Sequence, residues 1–391
     1  MRVLVVAPQP FFSPRGTPFS VYYRTLVAAE LGARIDLLTY GEGDDVDIPG
    51  VRIIRIPRFP WLGPIRIGPS WPKLFLDVVL IAWTVALLAR NRYDVVHAHE
   101  EAVFFCRFLK PIFGFKLIYD MHSSLPQQLR NFRFSSSRVL ISLFERLEDS
   151  SLRAADAVIT ICPDLANHAV RRIRDPGRHF LIENSIFEPV RLRADAPRRA
   201  AGALAPPELP GDRPIVLYAG TFEPYQGLDI LVPAFARVRA SRPDALLVLA
   251  GGQPAQVDRY RRLAEEEGVG EACVFTGVLE QEAVRQLVRR AAVLTSPRTA
   301  GLNTPLKIYE QLASGIPLVA TRVPAHTQVL NEEVCFLVDP EPDSLAAGIL
   351  AALRGDERCR RVVAAARALY DAHYSRSAYE AKMRALLQAV S

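Results

Sequence analysis

Residues 295–321 read TSPRTAGLNTPLKIYEQLASGIPLVAT, and this stretch predicts a strand end, a polar loop, a helix and a second strand in succession. Pro305 suits the first turn of the helix, where its missing N–H costs no hydrogen bond. Gly315 followed by Pro317 is typical of a helix end, and the apolar run after them restarts a strand. The stretch therefore predicts one strand–helix–strand unit of an α/β fold.

The start of this predicted helix is a candidate anion site. The first backbone N–H groups of a helix have no partner within it, and they attract negative charge. Lys307 and Glu310 lie three residues apart, so they share one helical face close to that site. A cation beside backbone amides suits a diphosphate, and a carboxylate one turn further on can accept hydrogen bonds from sugar hydroxyls. An ordinary crossover with a solvated Lys–Glu pair has the same pattern, so the residues alone leave both interpretations open.

The composition indicates a two-domain protein of the reducing cytoplasm. The chain has 391 residues, 50% of them hydrophobic and 23% charged, which suffices for two domains with buried cores. Its five cysteines never form a CxxC pair, which argues against a zinc or disulfide framework. The N-terminal MRVLVVAPQP lacks the long apolar region and small-residue cleavage site of a signal peptide, so we expect a buried first strand.

The charge balance bears on the choice of partner. The net charge is +6 and the sequence pI is about 9.1. A basic balance is compatible with nucleic acid, an anionic membrane surface or phosphorylated substrates. The basic residues are spread along the chain, without a zinc-finger pattern or an RNP-type motif. Nucleic acid is therefore the least favoured partner.

The first half of the chain alternates strand-like and helix-like segments, as in a doubly wound α/β domain. No GxGxxG follows the first apolar run, so the usual dinucleotide fingerprint is missing. Gly16 lies in the loop after that run and could let a ligand phosphate approach the backbone, but taken alone it favours a plain turn glycine. The predicted strands of this half are residues 3–7, 34–39, 51–56, 93–97, 116–119, 156–161 and 180–182.

The most apolar stretch, residues 71–89, reads WPKLFLDVVLIAWTVALLA. It is near the lower length limit for a membrane-spanning helix. A spanning helix would interrupt the strand–helix series, so we expect a helix packed hard on the sheet; a helix that dips into a membrane surface is the alternative. Residues 65–73, 107–116 and 130–134 interleave basic, aromatic and aliphatic side chains. Such segments suit an anionic lipid interface, although solvated basic faces look the same.

Polar residues follow two of the predicted strands. VVHAHE places His97 and His99 at one strand end; an HxH pair can bind metal, but no third ligand is evident, so we favour a loop-forming role. In KLIYDMHSSLP, Asp120, His122 and two serines follow another strand. The carboxyl ends of parallel strands face the ligand crevice in open α/β sheets, so these side chains form a candidate site. A helix cap with a bystander histidine is the alternative.

A second strand–helix series follows a different kind of segment. Residues 191–213 are rich in Pro, Ala and Arg and lack apolar periodicity, which predicts an interdomain linker. We predict Rossmann-like domains at 1–190 and 214–370, with a final helix at 371–391 that packs back on the first domain. Two doubly wound domains facing each other across a cleft make that cleft the expected ligand site.

Several motifs resemble those of a known family. YAGTFEPYQGLDIL, LAGG, VFTG and TPLKIYEQLASGIPLVAT look like the C-terminal half of glycosyltransferase family 4 enzymes, which have the GT-B architecture. HAHE, YDMHSSLP and IEN are similar to the N-terminal landmarks of that family. GTPFS, YDMHSSLPQQ and NTPLKIY resemble a bacterial subgroup linked to envelope or exopolysaccharide assembly.

The resemblance implies a retaining transfer from a nucleotide-sugar donor, with an acceptor-binding N-terminal domain and a donor-binding C-terminal domain. It implies that Glu310 holds the donor ribose and that Lys307, with the backbone of 303–306, holds the diphosphate. It also implies that His122 contacts the donor sugar near the reacting centre and that Gly16 closes over the diphosphate. The implied catalytic residues are His122, Lys307 and Glu310. The implied donor-binding residues are Gly16, Gly220, Thr221, Gln226, Gly251, Arg298, Asn303, Thr304, Pro305 and Leu306.

Three positions depart from the family pattern. Leu302 stands where the first glutamate of a paired-glutamate motif is usual, and Thr221 and Gln226 stand where an arginine and a lysine usually neutralise the diphosphate. Replacing a cation by a neutral donor in a dry site weakens the stabilisation of a leaving group. Arg298, in the loop before the predicted helix, is our candidate substitute, together with Lys307 and the helix dipole.

The expected reaction moves a hexose or N-acetylhexosamine from a UDP-sugar, with a GDP-sugar second, to a hydroxyl of a glycan or lipid-linked acceptor. We expect neither a cofactor nor a metal, because no DxD-like acidic pair stands at a strand end. The expected place is the cytoplasm, including the inner face of the plasma membrane. A sugar-nucleotide epimerase or phosphorylase-like enzyme and a non-catalytic nucleotide-sugar binder are the alternatives.

Overall fold

The computed structural model describes residues 1–13, 16–63, 70–124, 126, 138–185, 187, 190, 209 and 211–391. The chain divides into two compact units. Unit 1 comprises Met1–Ala196 with Arg376–Ser391, and unit 2 comprises Pro197–Ser375. The predicted linker at 191–213 and the basic-aromatic segment at 130–134 lie largely or wholly outside the described residues.

Unit 1 contains a parallel sheet with helices along the chain between its strands. Its strands are β1 (Arg2–Ala7), β2 (Arg34–Thr39), β3 (Val51–Arg55), β4 (Val95–His99), β5 (Lys116–Met121), β6 (Ala157–Thr160) and β7 (His179–Leu181). Its helices are α1 (Gly16–Glu30), α2 (Trp71–Arg90), α3 (Ala102–Phe113), α4 (Arg138–Ala154), α5 (Pro163–Val170) and α13 (Arg376–Ala389). Helix α13 packs on α1, where Arg376 Nη2 lies 2.5 Å from Glu30 Oε2.

The strand order in unit 1 is β3-β2-β1-β4-β5-β6-β7, and every described pair is parallel. Val3 and Val5 of β1 enter one apolar cluster and Leu4 and Val6 enter another, because successive side chains of a strand point to opposite faces. Both faces of the sheet are therefore buried, which explains the continuous apolar run of β1. The order reverses between β1 and β4, where open α/β sheets place their ligands.

Unit 2 repeats this plan. Its strands are β8 (Ile215–Ala219), β9 (Leu246–Ala250), β10 (Cys273–Gly277), β11 (Val293–Ser296), β12 (Leu318–Thr321) and β13 (Phe336–Val338). Its helices are α6 (Leu228–Ser241), α7 (Pro254–Glu266), α8 (Gln281–Arg290), α9 (Leu306–Ala313), α10 (Pro324–Thr327), α11 (Pro342–Leu353) and α12 (Glu357–His373). The strand order is β10-β9-β8-β11-β12-β13, again parallel, so the order reverses between β8 and β11.

The stretch at 295–321 forms the predicted strand, loop, helix and strand, as β11, α9 and β12. Gly315 has φ 76°, so it terminates the helix as expected. The placement of Pro305 in the first helical turn is wrong by one position. Pro305 is the N-cap with ψ 136°, an extended conformation, so helical geometry begins at Leu306.

The expectation that α2 packs hard on the sheet is only partly right. Its buried residues are Leu76, Leu80, Thr84 and Leu88, one narrow stripe with a spacing of four. The rest of the helix is exposed or half-buried. Within the described residues, α2 is the one helix whose length and apolar composition would allow it to cross a membrane.

A substitution at Gly227 tests how much the close contact between the loops that follow β8 and β11 contributes to stability. It has φ 79°, and a Cβ on it would lie 1.8 Å from the Pro297 carbonyl oxygen. We expect Gly227→Ala to lower the free energy of unfolding by about 3 kcal/mol, from left-handed strain plus displacement of the backbone. Gly268→Ala is the matched control: φ is 70° but nothing lies within 4 Å, so strain alone remains. Chemical denaturation measures both variants, and equal losses would contradict the packing argument.

Candidate functional site

The predicted donor residues of unit 2 gather at the carboxyl ends of β8 and β11. Gly220 follows β8 directly, and Gly251 follows β9. A Cβ on Gly251 would lie 1.9 Å from the Gly220 carbonyl oxygen, so these two turns are in close contact and only glycine fits. A Cβ on Gly220 would lie 3.4 Å from Lys307 Nζ, so the turn after β8 lies directly against that ammonium group.

Lys307 projects from the first turn of α9 to the end of β8. Its Nζ lies 3.4 Å from the Ala219 carbonyl oxygen and 4.2 Å from the centre of the Tyr218 ring. Burial, with the positive charge of Arg298, lowers the pKa of Lys307 to about 7. No carboxylate pairs with Lys307 among the described residues. The site thus holds a cation whose charge has no protein counter-ion.

Arg298 joins the predicted residues into one hydrogen-bonded group. Its Nε lies 3.4 Å from Gln226 Oε1 and its Nη1 lies 3.3 Å from the Asn303 carbonyl oxygen. Gln226 Nε2 in turn lies 3.3 Å from Thr221 Oγ1. The guanidinium also lies over the Tyr225 ring at 5.2 Å. The sequence-based choice of Arg298 as a substitute cation is compatible with this position, and its catalytic role stays a prediction.

Hydrogen bonds from α10 and the residue after it hold the backbone of the loop before α9. The backbone N–H of Ala325 donates to the Gly301 carbonyl oxygen at 3.1 Å, and the Gln328 side chain donates to the Leu302 carbonyl oxygen. The Leu302 side chain itself is exposed. Thr304 Oγ1 is buried and makes no hydrogen bond within the described part of the chain. The loop therefore presents a fixed backbone and one available hydroxyl.

Glu310 lies one turn further along α9 than Lys307. It is exposed, and its carboxylate makes no hydrogen bond or ion pair with any described residue. A carboxylate in this position is available to the hydroxyls of a ligand. That agrees with the ribose contact implied by the family resemblance, which stays a prediction.

His326 of α10 belongs to the site although the sequence analysis missed it. Its Nδ1 lies 2.8 Å from the Thr321 carbonyl oxygen, so Nδ1 carries a proton and donates it. Its Nε2 lies 2.9 Å from Ser296 Oγ and accepts that hydroxyl proton. Burial lowers the pKa of His326 to about 4. A neutral histidine thus ties the ends of β11 and β12 together; no motif marked it in the sequence.

The predicted polar residues of unit 1 form a buried cluster around Asp120. Arg24 Nη1 contacts Asp120 Oδ2, and both side chains are fully buried. His97 Nε2 lies 3.0 Å and His99 Nδ1 lies 3.1 Å from the same oxygen. Burial would raise the pKa of Asp120, but the charge of Arg24 and the nearby His99 and His122 hold it well below its usual range. The helix-cap alternative for Asp120 is therefore wrong.

The cluster also corrects the statement that the HxH pair has no third ligand. His97, His99 and Asp120 have ligand atoms within 4.8 Å of one another, which is metal-ligand spacing. The guanidinium of Arg24 already contacts the Asp120 oxygen that faces both histidines, so the cation of this cluster is the arginine. The expectation that the reaction needs no metal stays a prediction.

His122 lies at the edge of this cluster. Its Nε2 is 3.1 Å from Arg24 Nη1 and 3.2 Å from Asp120 Oδ1. A guanidinium only donates, so the first contact requires a neutral ring with the proton on Nδ1; a protonated ring would donate to the carboxylate instead. Ser124, two residues further on, donates to Glu148 Oε1 at 3.1 Å.

Gly16 is the first residue of α1, and residues 14 and 15 before it lie outside the described ranges. Its implied contact with a diphosphate therefore stays a prediction.

Glu100 is a further residue that sequence reasoning did not single out. It follows β4 directly and has φ 46°, a left-handed conformation that is unusual for a residue other than glycine. Burial and the neighbouring Glu101 raise the pKa of its carboxyl, while His122 and Lys73 oppose this. Strain at the strand end where the sheet order reverses is typical of functional positions.

Two Rossmann-like units with parallel sheets of this order place the chain in the GT-B class of glycosyltransferase folds. Residues 204–369 match the family described as glycosyl transferases group 1, and residues 22–185 match the glycosyl transferase 4-like domain. The chain therefore belongs to the group 1, family 4 glycosyltransferases. The family and the fold expected from the motifs are thereby confirmed.

Individual proteins resemble the chain over most of its length. One subunit of phosphatidylinositol N-acetylglucosaminyltransferase from Arabidopsis thaliana is 23% identical over 371 residues, covering 90% of this chain and 74% of the relative. Sucrose-phosphate synthase from Thermosynechococcus elongatus superposes with a TM-score of 0.74 at 23% identity, covering 99% of this chain and 98% of that one. Anabaena Alr3699/HepE in complex with UDP superposes with a TM-score of 0.71 at 17% identity, covering 99% and 100%.

The buried Arg24–Asp120 pair predicts a strong energetic coupling. We expect Arg24→Met to lower the free energy of unfolding by about 3–5 kcal/mol, because it leaves a buried carboxylate without its counter-ion. Adding Asp120→Asn removes that charge, so the double variant should lose clearly less than the sum of the two single losses. Denaturant unfolding of all four proteins measures the coupling, and additive losses would contradict it.

Lys307 predicts that anion binding in unit 2 depends on pH. Its free ammonium group has a pKa lowered to about 7, so above neutrality the site must take up a proton to bind an anion. We expect the Kd of UDP-glucose, whose diphosphate charge does not change in this range, to rise about tenfold from about pH 6 to about pH 8. Calorimetry in two buffers of different ionisation enthalpy measures both the Kd and the proton uptake.

The control for this pH dependence is Lys307→Met. The variant should bind more weakly, without proton uptake, and with a flat pH profile. The stability of the protein changes with pH in the opposite direction to ligand binding. In the unfolded chain Lys307 has its ordinary pKa of 10.5, so between about pH 7 and 10.5 the unfolded chain binds a proton that the folded chain has lost. The contribution of Lys307 to the free energy of unfolding therefore rises over this pH range. A pH profile of UDP-glucose binding that persists in Lys307→Met would assign the effect to another group.

Proposed function

We propose that this glycosyltransferase moves a hexose or N-acetylhexosamine from a UDP-sugar to a hydroxyl of a glycan or lipid-linked acceptor, with retention of anomeric configuration. The observation that carries the proposal is the pair of cations at the carboxyl ends of β8 and β11. Lys307 and Arg298 lie there without a carboxylate partner in the described residues, beside the backbone amides that open α9. Such a group suits the two negative charges of a diphosphate.

The choice of UDP rests on a structural neighbour, whereas Glu310 supports a nucleotide with any base. HepE of Anabaena, which shares the fold, has been solved with UDP. Glu310 offers a free carboxylate one helical turn from Lys307, where ribose hydroxyls could donate to it. A GDP-sugar remains the second choice, because neither Glu310 nor the two cations would discriminate between nucleobases.

The reaction breaks the bond between the anomeric carbon and the β-phosphate oxygen and forms a bond from the same carbon to the acceptor oxygen. Lys307, Arg298 and the loop N–H groups stabilise the departing diphosphate. No carboxylate stands out as a nucleophile in the sequence, so the acceptor attacks on the same face through an oxocarbenium-like state. The acceptor proton passes to the leaving phosphate oxygen, which balances the step without a metal.

The acceptor is the part of the proposal that rests on relatives. The Arabidopsis relative is, by its name, part of an N-acetylglucosaminyltransferase of phosphatidylinositol. A lipid-linked acceptor at the cytoplasmic face of the membrane, used in envelope polysaccharide synthesis, fits that chemistry and the basic charge of the chain. A non-catalytic nucleotide-sugar binder is the second candidate, because Thr221 and Gln226 are neutral where the family places cations.

A turnover assay decides between a glycosyltransferase and a non-catalytic nucleotide-sugar binder. We expect wild-type protein to release UDP from UDP-sugars, faster with a lipid acceptor, and Arg298→Ala to lower kcat/KM by about 10²-fold, as for the loss of one donor to a developing charge. Glu310→Ala should raise the Kd for UDP-sugars through loss of the ribose contact. Arg322→Ala, an exposed arginine paired with Glu332, is the matched control and should leave turnover unchanged.

Three outcomes would contradict parts of this proposal. Tight UDP-sugar binding with no turnover would favour the binder, and a released epimer of the sugar nucleotide would favour an epimerase. Wild-type rates in Arg298→Ala would remove Arg298 from leaving-group stabilisation. The configuration of the product, read by NMR, tests retention.

A further inference from the structure

Unit 1 exposes an apolar surface on α2, on α3 and on the short turn Pro60–Leu62 before α2. We call it the apolar face, and its most exposed members are Trp61, Trp71, Leu74, Val78, Phe108 and Ile112. Trp71 is 85% exposed, and Val78 is 65% exposed. Helices α2 and α3 pack on each other, and Phe59 contacts both Trp61 and Phe75, so the turn, α2 and α3 adjoin one another. An exposed apolar patch of this kind marks an interaction site.

The packing of α2 excludes a simple bilayer crossing. Leu76, Leu80, Thr84 and Leu88 bury one stripe of α2 in the core cluster that covers this side of the unit 1 sheet. The chain enters α2 after β3 and leaves it into β4, both strands of that one sheet. The helix is therefore anchored along the sheet, and only its outer face is free to meet an apolar phase.

The charged side chains of α2 are turned away from that face. Lys73 forms an ion pair with Glu101, and the Tyr40 hydroxyl donates to Asp77. Burial and the charge of Glu101 raise the pKa of Asp77 to about 7, so this carboxyl is neutral for part of the time at physiological pH. The outer face from residue 71 to residue 89 consequently carries no free charge.

The ends of the face are basic. Arg90 closes α2, and Arg107 of α3 lies over the Phe108 ring at 4.2 Å. The other two cations of these helices, Lys73 and Lys110, pair with Glu101 and Asp156, so Arg90 and Arg107 are the two that have no ion pair with a described residue. An apolar face with cations at its borders complements an anionic lipid surface, where aliphatic groups enter the acyl region and cations meet phosphates.

The tryptophans favour a lipid interface over a second protein copy. The chain has three tryptophans, and all three lie on or beside the apolar face. Trp61 and Trp71 are 74% and 85% exposed, and Trp83 is 37% exposed. Phe59 packs edge-on against both Trp61 and Phe75, which extends an aromatic border. Tryptophan is enriched at membrane–water interfaces because its ring is apolar and its N–H is polar.

We propose that the apolar face docks unit 1 on an anionic phospholipid bilayer, with α2 lying in the plane of the interface rather than across it. The inference deepens the proposed function, because a lipid-linked acceptor would be met on this surface. It does not depend on turnover, since docking requires neither a donor nor an acceptor.

Tryptophan fluorescence reports on this face directly, because no tryptophan lies elsewhere in the chain. The probe is vesicles of phosphatidylcholine mixed with an equal part of phosphatidylglycerol, at low salt. We expect a blue shift of the emission, quenching by brominated acyl chains, and sedimentation of the protein with the vesicles. The protein should bind more weakly to vesicles of pure phosphatidylcholine. High salt should reduce binding to the anionic vesicles to about that weaker level.

Two matched valine substitutions distinguish docking through the apolar face from non-specific binding of the protein to vesicles. Val78→Glu adds a carboxylate to the apolar face, whereas Val278→Glu adds one to an equally ordinary exposed valine of unit 2, where Val278 is 54% exposed. We expect Val78→Glu to reduce the vesicle-bound fraction about tenfold, since a carboxylate must be dehydrated at the interface. Val278→Glu should bind vesicles like the wild type.

Several results would overturn the proposal. Absence of vesicle binding at low salt, or equal binding by Val78→Glu and the wild type, would remove the bilayer as the partner. A dimer in light scattering that Val78→Glu dissolves, without vesicle binding, would assign the face to a second copy. Calorimetric binding of UDP-glucose by Val78→Glu at the wild-type Kd shows that the variant is folded and keeps any failure of docking separate from a failure of the donor site.

Discussion

Lys307 holds a positive charge that no described carboxylate neutralises. Its ammonium group is confined by the Tyr218 ring and the Ala219 carbonyl oxygen, and Arg298 adds further positive charge nearby. Burying a cation without a counter-ion costs free energy, and the lowered pKa is the measure of that cost. A protein keeps such an arrangement where a ligand brings the missing negative charge. The glycine turns, the loop before α9 and the short helix α10 all serve to hold this one position.

Unit 1 shows the opposite use of a buried cation. Arg24 is more deeply buried than Lys307, but Asp120 compensates its charge, and three histidines surround the pair. The Arg24–Asp120 pair holds the ends of β4 and β5 together, whereas Lys307 has no described counter-ion and is available to an anionic ligand. The presence or absence of a protein counter-ion thus separates a structural cation from a binding cation in the same chain.

Much of the architecture could be predicted from the sequence. The run at β1, the helix end at Gly315 and the alternation of strands and helices all indicated a doubly wound fold, and the structure confirms it. The motif-based choice of Lys307, Arg298, Thr221 and Gln226 named residues that the structure brings together. The third group near the HxH pair was missed because Asp120 is distant in sequence, and only the pairing of β4 with β5 sets it opposite His99.

Local chemistry was enough to determine which segments are strands, which are helices and where the chain can turn, because these depend on neighbours a few residues away. The same local chemistry marked α2 as unusually apolar. Which side chains meet depended on the tertiary structure: strand register set Asp120 between the histidines, and helix packing left one stripe of α2 buried and the remainder exposed. His326 joined the site for the same reason, since the ends of β11 and β12 come together only when the sheet has formed. Counter-ions and free surfaces are properties of the packed chain, because they depend on contacts between residues far apart in sequence.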